Sequence, residues 1–243
     1  MKLGLQLNIK TRSEWTPNNL SSLTNWYKTN EGIDTFFAAG GGGAYIVTQW
    51  ADQKGTNHLI DTATPANTSG YVQAHPKLDG GKVVFDHGGD QLDFTSHLSL
   101  GTFAIYMRVE FDSSFADTLF EDEAGNNFLK IQSSTEARFK MSGNRHDFDL
   151  PVTLSADTKY NIGWEREDTG STTDDVMQVY VNAAAGSFKS GGTGDGTQAI
   201  TDTLDLEKIG DPANTMKVYE IVICNNSLTA QDRSNLNTYF NKI

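Results

Sequence analysis

Residues 204–243 read LDLEKIGDPANTMKVYEIVICNNSLTAQDRSNLNTYFNKI, and the fold is decided there. Leu204 to Gly210 and Val218 to Cys224 are dense in β-branched and apolar residues, in runs too short for a typical helix. From Ile221 to Cys224 no residue is polar, so both faces of that strand are apolar. A sheet with one face in water would alternate instead. Something must cover the outer face, and the next segment is built to do so. Asn225 and Asn226 suit a turn, Thr229 caps a helix, and Asp232 sits three residues on as a carboxylate version of the capping box. Leu236, Tyr239 and Phe240 then recur at helical spacing as one apolar stripe.

The middle of the chain alternates with period two. Phe103, Ile105, Met107, Val109 and Phe111 face one way, with Arg108 and Glu110 facing the other. Ala137, Phe139 and Met141 repeat the pattern, as do Tyr160, Ile162 and Trp164, and Met177, Val179 and Val181. These are expected antiparallel strands with one wet face. Gly125-Asn126-Asn127 and Gly143-Asn144 mark hairpin turns. Near the start, Leu3, Leu5, Leu7 and Ile9 predict a half-buried strand. Asn18-Asn19 predicts a short helix carrying Leu20, Leu23, Trp26 and Tyr27, stopped near Gly32. The glycine-rich stretches Ala38–Ala44 and Ser190–Gly196 read as loops. The first leads into the strand Tyr45-Ile46-Val47 and the second has no helix-after-strand setting, so neither is a phosphate cradle.

Several of these pieces resemble one family. Leu206-x-x-Ile209-Gly210, Glu220-Ile221-x-Ile223 and Asn226-x-Leu228-Thr229-x-x-x-Arg233-x-x-Leu236-x-x-Tyr239 resemble the end of laminin G-like, concanavalin A-like domains, of the variety found in bacteriophage structural proteins. Trp50-x-Asp52-x-x-Gly55 and Val83-Val84-Phe85-Asp86, followed by Asp90-Gln91-Leu92, match the same pattern, with His87 where the pattern has glycine. Thr158-Lys159-Tyr160, Trp164 and Val179-Tyr180-Val181-Asn182 are similar to its middle. The resemblance covers about residues 20–243. It implies an all-β, concanavalin A-like jelly-roll sandwich of two antiparallel sheets, with a short N-terminal helix and a C-terminal helix. Residues 1–243 are read as a single domain, with residues 1–19 as an N-terminal strand or arm.

Composition narrows the function. The chain has 243 residues and a net charge of −12, and no basic cluster offsets the acidic total, so nucleic acid is not an expected partner. No apolar run is long enough to span a membrane. The start shows no cleavage pattern, so no signal peptide is expected. The one cysteine, Cys224, lies inside the apolar strand, which excludes an intrachain disulfide and gives a small buried hydrophobe.

Three chemistries remain. The sandwich fold also hosts glucanases, whose sites resemble Glu-x-Asp-x-Glu on one strand. Here Glu110-Phe111-Asp112-Ser113-Ser114 lacks the third carboxylate, so the chain is expected to bind and not to catalyse. Laminin G-like domains often hold calcium at a rim. Asp122 with Asn126 across one turn, and Asp86, Asp90 and Asp93 around another, are the candidates, although Asp and Asn favour turns in any case. No other cofactor is expected. Sugars stack on aromatic rings and bond to Asn and Asp, which brings in Trp50 and Asp52, Asp122, Asn126 and Asn127, and His146 in an expected exposed loop. By resemblance the chain is expected to be a virion protein, a capsid decoration or appendage made in the host cytoplasm. Its expected partners are capsid or tail proteins or surface glycans, with self-association as an option. The alternative is a lectin-like carbohydrate-binding module on a tail fibre or cell surface.

Overall fold

The computed structural model describes residues 14–38, 43–62, 75–112, 115–167, 176–189, 202–210 and 212–243. The expected strand at Leu3–Ile9, the core of the 38–44 glycine run and the 190–196 loop lie outside the described residues. In chain order the strands are β1 (Leu23–Lys28), β2 (Ile33–Ala38), β3 (Ala44–Trp50), β4 (Leu59–Ile60), β5 (Lys77–Asp79), β6 (Lys82–Phe85), β7 (Gln91–Leu100), β8 (Phe103–Phe111) and β9 (Thr118–Glu121). They continue as β10 (Phe128–Ser133), β11 (Glu136–Met141), β12 (Asn144–Asp149), β13 (Lys159–Arg166), β14 (Met177–Val181), β15 (Ala184–Ala185), β16 (Ser187–Phe188), β17 (Leu204–Gly210) and β18 (Met216–Cys224). One helix follows, α1 (Ala230–Phe240).

All the pairings are antiparallel, and they form an all-β sandwich. One layer runs β1–β18–β8–β13–β14–β15, and the other runs β4–β7–β17–β9–β10–β11–β12–β16. β18 organises the first layer. β8 lies along one side of it from Met216 to Cys224. On its other side β1 pairs with Glu220–Cys224 and β6 with Met216–Val218. From β6 the ladder passes through β5 and β3 to the hairpin partner β2. Ile105, Met107, Trp164, Ile221 and Ile223 meet Leu98, Phe120, Leu129, Phe139 and Leu206 between the layers.

The outer face of β18 is covered by α1, as its sequence requires. Val222 and Cys224 join Ala104, Tyr106 and Tyr180 against Leu228, Leu236 and Phe240. Thr229 caps the helix, its hydroxyl accepting from Asp232 N at 3.1 Å. Burial pushes the Cys224 thiol up to about 12. Cys224 is therefore expected to resist thiol reagents in the native protein and to react fully in denaturant. Rapid labelling under native conditions would contradict its placement.

Two expectations are corrected here. The helix expected after Asn18 is only the 3₁₀ turn Pro17–Asn19, and Leu23–Lys28 is strand β1. Leu23, Trp26 and Tyr27 mimic helical spacing for a physical reason. A bulge between Leu23 and Asn25 shifts the parity of the strand, so Leu23 and Trp26 both lie under α1 while Tyr27 enters the inter-sheet core. The faces expected to be wet on β8 and β13 are also buried, because α1 lies over them. Arg108 is 8% exposed, Asn161 2% and Glu165 1%. Asn161 and Glu165 are held by the helix, and Arg108 Nη1 donates to Asn161 Oδ1 at 2.9 Å and to Asn241 Oδ1, just past the helix end, at 3.2 Å. Arg233 Nη1 donates to Glu165 Oε2 at 2.8 Å, Tyr106 Oη to Glu165 Oε1 at 2.5 Å, and Asn161 Nδ2 to Asn237 Oδ1 at 2.5 Å. Gly163 faces Tyr106 across the ladder, and a Cβ there would meet that ring at 2.1 Å.

Candidate functional site

The β2–β3 hairpin presents aromatic side chains to solvent. Phe36 is 43% exposed, and Phe37 and Tyr45 are each 55% exposed. Among the described residues, Val152 is the only other large hydrophobic side chain this open. Register explains the placement. Phe37 pairs with Tyr45, so both rings project from one face, and their centroids stand 5.2 Å apart with planes tilted by 57°. Tyr45 in turn pairs with Leu78 of β5, which is half-buried against the core. Phe36 pairs with Ile46 and so points to the opposite face. The result is an aromatic ledge of Phe37 and Tyr45. No sequence expectation reached it. Three aromatics flanking a glycine run were the available signal, but the run itself drew the reading towards a loop.

The expected sugar platform at Trp50 is corrected. Trp50 is fully buried between the layers, its Nε1 donates to Lys28 O at 2.9 Å, and its ring packs edge-on against Tyr27. Neither of its faces is open to a ligand. Asp52 holds a turn: Oδ1 accepts from Trp26 N and from Lys54 N, both at 2.9 Å, and Oδ2 accepts from Asn25 Nδ2 at 3.0 Å. A Cβ at Gly55 would come within 3.1 Å of Asp52 Oδ2. The Trp-x-Asp-x-x-Gly pattern is thus a packing and turn device.

Asp122, Asn126 and Asn127 do come together, around the turn between β9 and β10. Asp122 Oδ1 accepts from Asn126 N at 2.8 Å and Asn127 N at 3.1 Å, and its Oδ2 accepts from Asn127 Nδ2 at 2.9 Å. Asn127 Oδ1 accepts from Ser142 N at 3.2 Å. These groups are engaged in closing the turn, which weighs against calcium at Asp122. His146 is not in an exposed loop. It lies on β12, 2% exposed, with its ring against Phe139 and Phe188. The β11–β12 hairpin is tighter than expected: Met141 pairs with Asn144, and Ser142 and Gly143 take positive φ between them.

Between β6 and β7, Asp86, His87 and Asp90 form a compact group with ligand atoms within 4.8 Å of one another. Asp90 Oδ2 accepts from Asp86 N at 2.8 Å and from His87 N at 3.1 Å. Burial, aided by the Asp86 charge, pushes the Asp90 carboxyl up to about 6. For Asp86 burial acts in the same sense, but Lys77 and His87 hold the carboxyl below its ordinary range. Asp93 lies apart from this group, accepting from Gln91 Nε2 at 3.0 Å and from the Thr62 hydroxyl. Glu110, the residue nearest to a glucanase pattern, accepts from Lys217 Nζ at 2.6 Å and Tyr219 Oη at 3.0 Å.

No protein-family model matches the sequence, and no curated protein matches it. Solved structures do share the fold. The binding domain of botulinum neurotoxin DC, in complex with rat synaptotagmin II, is similar at a TM-score of 0.59 and 11% identity, covering 93% of this chain and 52% of that one. A botulinum neurotoxin type C structure, whose cell entry depends on two ganglioside molecules, gives 0.56 and 12%, covering 93% and 53%. Trypanosoma rangeli sialidase in complex with sialic acid gives 0.51 and 12%, covering 90% of this chain and 33% of that one. The chain therefore spans about half of the toxin chains and a third of the sialidase. At these identities the likeness establishes the β-sandwich fold. It also overturns the expectation that the chain is not an enzyme. That expectation rested on a missing carboxylate in one glucanase pattern, whereas the structures sharing this fold include sialidases.

Proposed function

We propose that this chain is a glycan-recognition sandwich that takes a neutral saccharide on the Phe37–Tyr45 ledge, carried as a decoration or appendage domain of a bacteriophage virion. The observation that carries the reading is the exposure of both rings, paired in register, on one face of the β2–β3 hairpin. An exposed, tilted aromatic pair offers a sugar ring apolar surface on two sides. The neighbours that carry sialic acid or depend on gangliosides support glycan recognition in general. The net charge of −12 selects against anionic saccharides such as sialic acid, by long-range repulsion, and favours neutral ones. The virion setting is supported by the laminin G-like sequence pattern.

A second reading has its own support. Among the described residues β2 pairs only with β3 and its other edge is unpaired, which suits an added strand from a capsid or tail protein, or from a second copy.

A glycan array followed by titration calorimetry tests the first reading. Phe37→Ala and Tyr45→Ala should each weaken binding of a neutral oligosaccharide about tenfold, or about 1.4 kcal/mol, without changing the unfolding midpoint. Equal affinity in both variants would remove the ledge as the site.

A further inference from the structure

The turn between β6 and β7 carries a group that the aromatic ledge does not use. Asp90 is fully buried. Its Oδ2 is fixed by the Asp86 and His87 amides, but its Oδ1 is buried with no hydrogen-bond donor. A buried carboxylate oxygen left without a partner is costly. The Asp86 carboxylate stands beside it, so two like charges share one small volume. A positive charge already answers them: Lys77 Nζ donates to both Asp86 oxygens at 2.8 Å. His87 Nδ1 lies 2.8 Å from Asp86 Oδ1, and its side chain is 42% exposed, which leaves the group open to solvent on that side.

We propose that Asp86, His87 and Asp90 form a binding site for a divalent transition-metal ion of the zinc class, with the Lys77 ammonium occupying the position of the second positive charge when the ion is absent. The donor set decides the class. Calcium takes six to eight oxygens, and magnesium keeps an all-oxygen octahedron. An imidazole nitrogen with two carboxylates matches the borderline ions, which accept mixed nitrogen and oxygen ligands and leave a position for water. Ligand atoms around a tetrahedral ion with bonds of about 2.0–2.1 Å stand about 3.3 Å apart. The three atoms here lie within 4.8 Å, so side-chain movements on the order of 1 Å close the group. Lys77 is long and partly exposed, and it can swing away as the ion enters.

Calorimetry on chelator-treated, tag-free full chain tests the site, with zinc and calcium as the probes and thermal unfolding as a second readout. Zinc should bind one to one and raise the unfolding midpoint, and calcium should give no heat. His87→Ala and Asp86→Asn should each weaken zinc at least tenfold. Lys77→Met should strengthen it at least threefold, a gain that a purely structural ion pair would not produce. His87 and Asp86 are partly exposed, so both variants should fold, and the metal-free unfolding curve checks this. The site is overturned if neither wild type nor Lys77→Met binds zinc, or if zinc binding is unchanged in His87→Ala. Calcium binding as tightly as zinc would overturn the ion class.

Discussion

A chain ending at Leu228 is expected to aggregate. Removing 229–243 uncovers Val222, Cys224, Ala104 and Tyr106 in one apolar patch and takes away Leu236 and Phe240, which seal it. It also takes Arg233 from Glu165, and Asn237 and Asn241 from Asn161 and Arg108. The truncation therefore leaves both an exposed hydrophobic face and a carboxylate without its cation. Either loss is a large fraction of the ~5–15 kcal/mol that usually separates folded from unfolded protein. A milder version isolates the packing: Phe240→Ala should cost about 3–5 kcal/mol in denaturant unfolding. Size-exclusion chromatography with light scattering reads the truncation. A monomer as stable as the full chain would show that α1 is dispensable.

Stability is expected to fall as pH rises from about 4.5 to above 7, with Glu220 as a main cause. Glu220 is 2% exposed on β18, accepts from the Trp26 indole N–H and contacts the Tyr239 hydroxyl, and the charges facing it are Lys28 and Glu31. Burial outweighs these hydrogen bonds and pushes its carboxyl up to about 7 from the ordinary 4.5. The folded state thus holds a proton that the unfolded chain has already released. Below 4.5 both states are protonated and nothing is lost. Above 7 both are ionised, and the folded state carries the full penalty, roughly 3 kcal/mol. Glu165, whose carboxyl is also raised by burial, acts in the same direction. Glu220→Gln should match wild type near pH 4 and exceed it by about 1–3 kcal/mol at pH 8. Urea unfolding at the two pH values measures the difference, and parallel pH profiles would refute the assignment.

The fold was legible where one residue pattern had one physical meaning. Four apolar residues at Ile221–Cys224 cannot sit in a half-wet sheet, and that fact alone called for α1. Legibility failed where two meanings shared a pattern. Leu23, Trp26 and Tyr27 have helical spacing, and only a bulge reveals them as strand. Arg108, Asn161 and Glu165 are polar, as outer-face residues should be, and nothing local says that a helix much later in the chain will bury them and bond Asn161 and Glu165. The sites failed for a related reason. Trp50, Asp52, Asp122 and Asn127 are the residue types that bind ligands and also the types that hold turns, and here each has a structural partner. Phe36 and Phe37 drew no reading at all, because nothing in their sequence says whether a strand there is covered, and their exposure comes from the place of β2, which among the described residues pairs with β3 alone.

The position of β18 between β8 on one side and β1 and β6 on the other has a consequence for how the protein is made. Its neighbours β1, β6 and β8 all precede it in the chain, and Leu23 must wait for Cys224 before it can pair. During synthesis these earlier strands emerge without the one ribbon that joins them. Their edges stay open until nearly the whole described chain has been translated. Closing loops of that length places such a topology among slow folders, in the millisecond-to-second range. The nascent chain therefore passes through a prolonged interval in which its most β-prone segments need shielding from their counterparts on neighbouring polysomes.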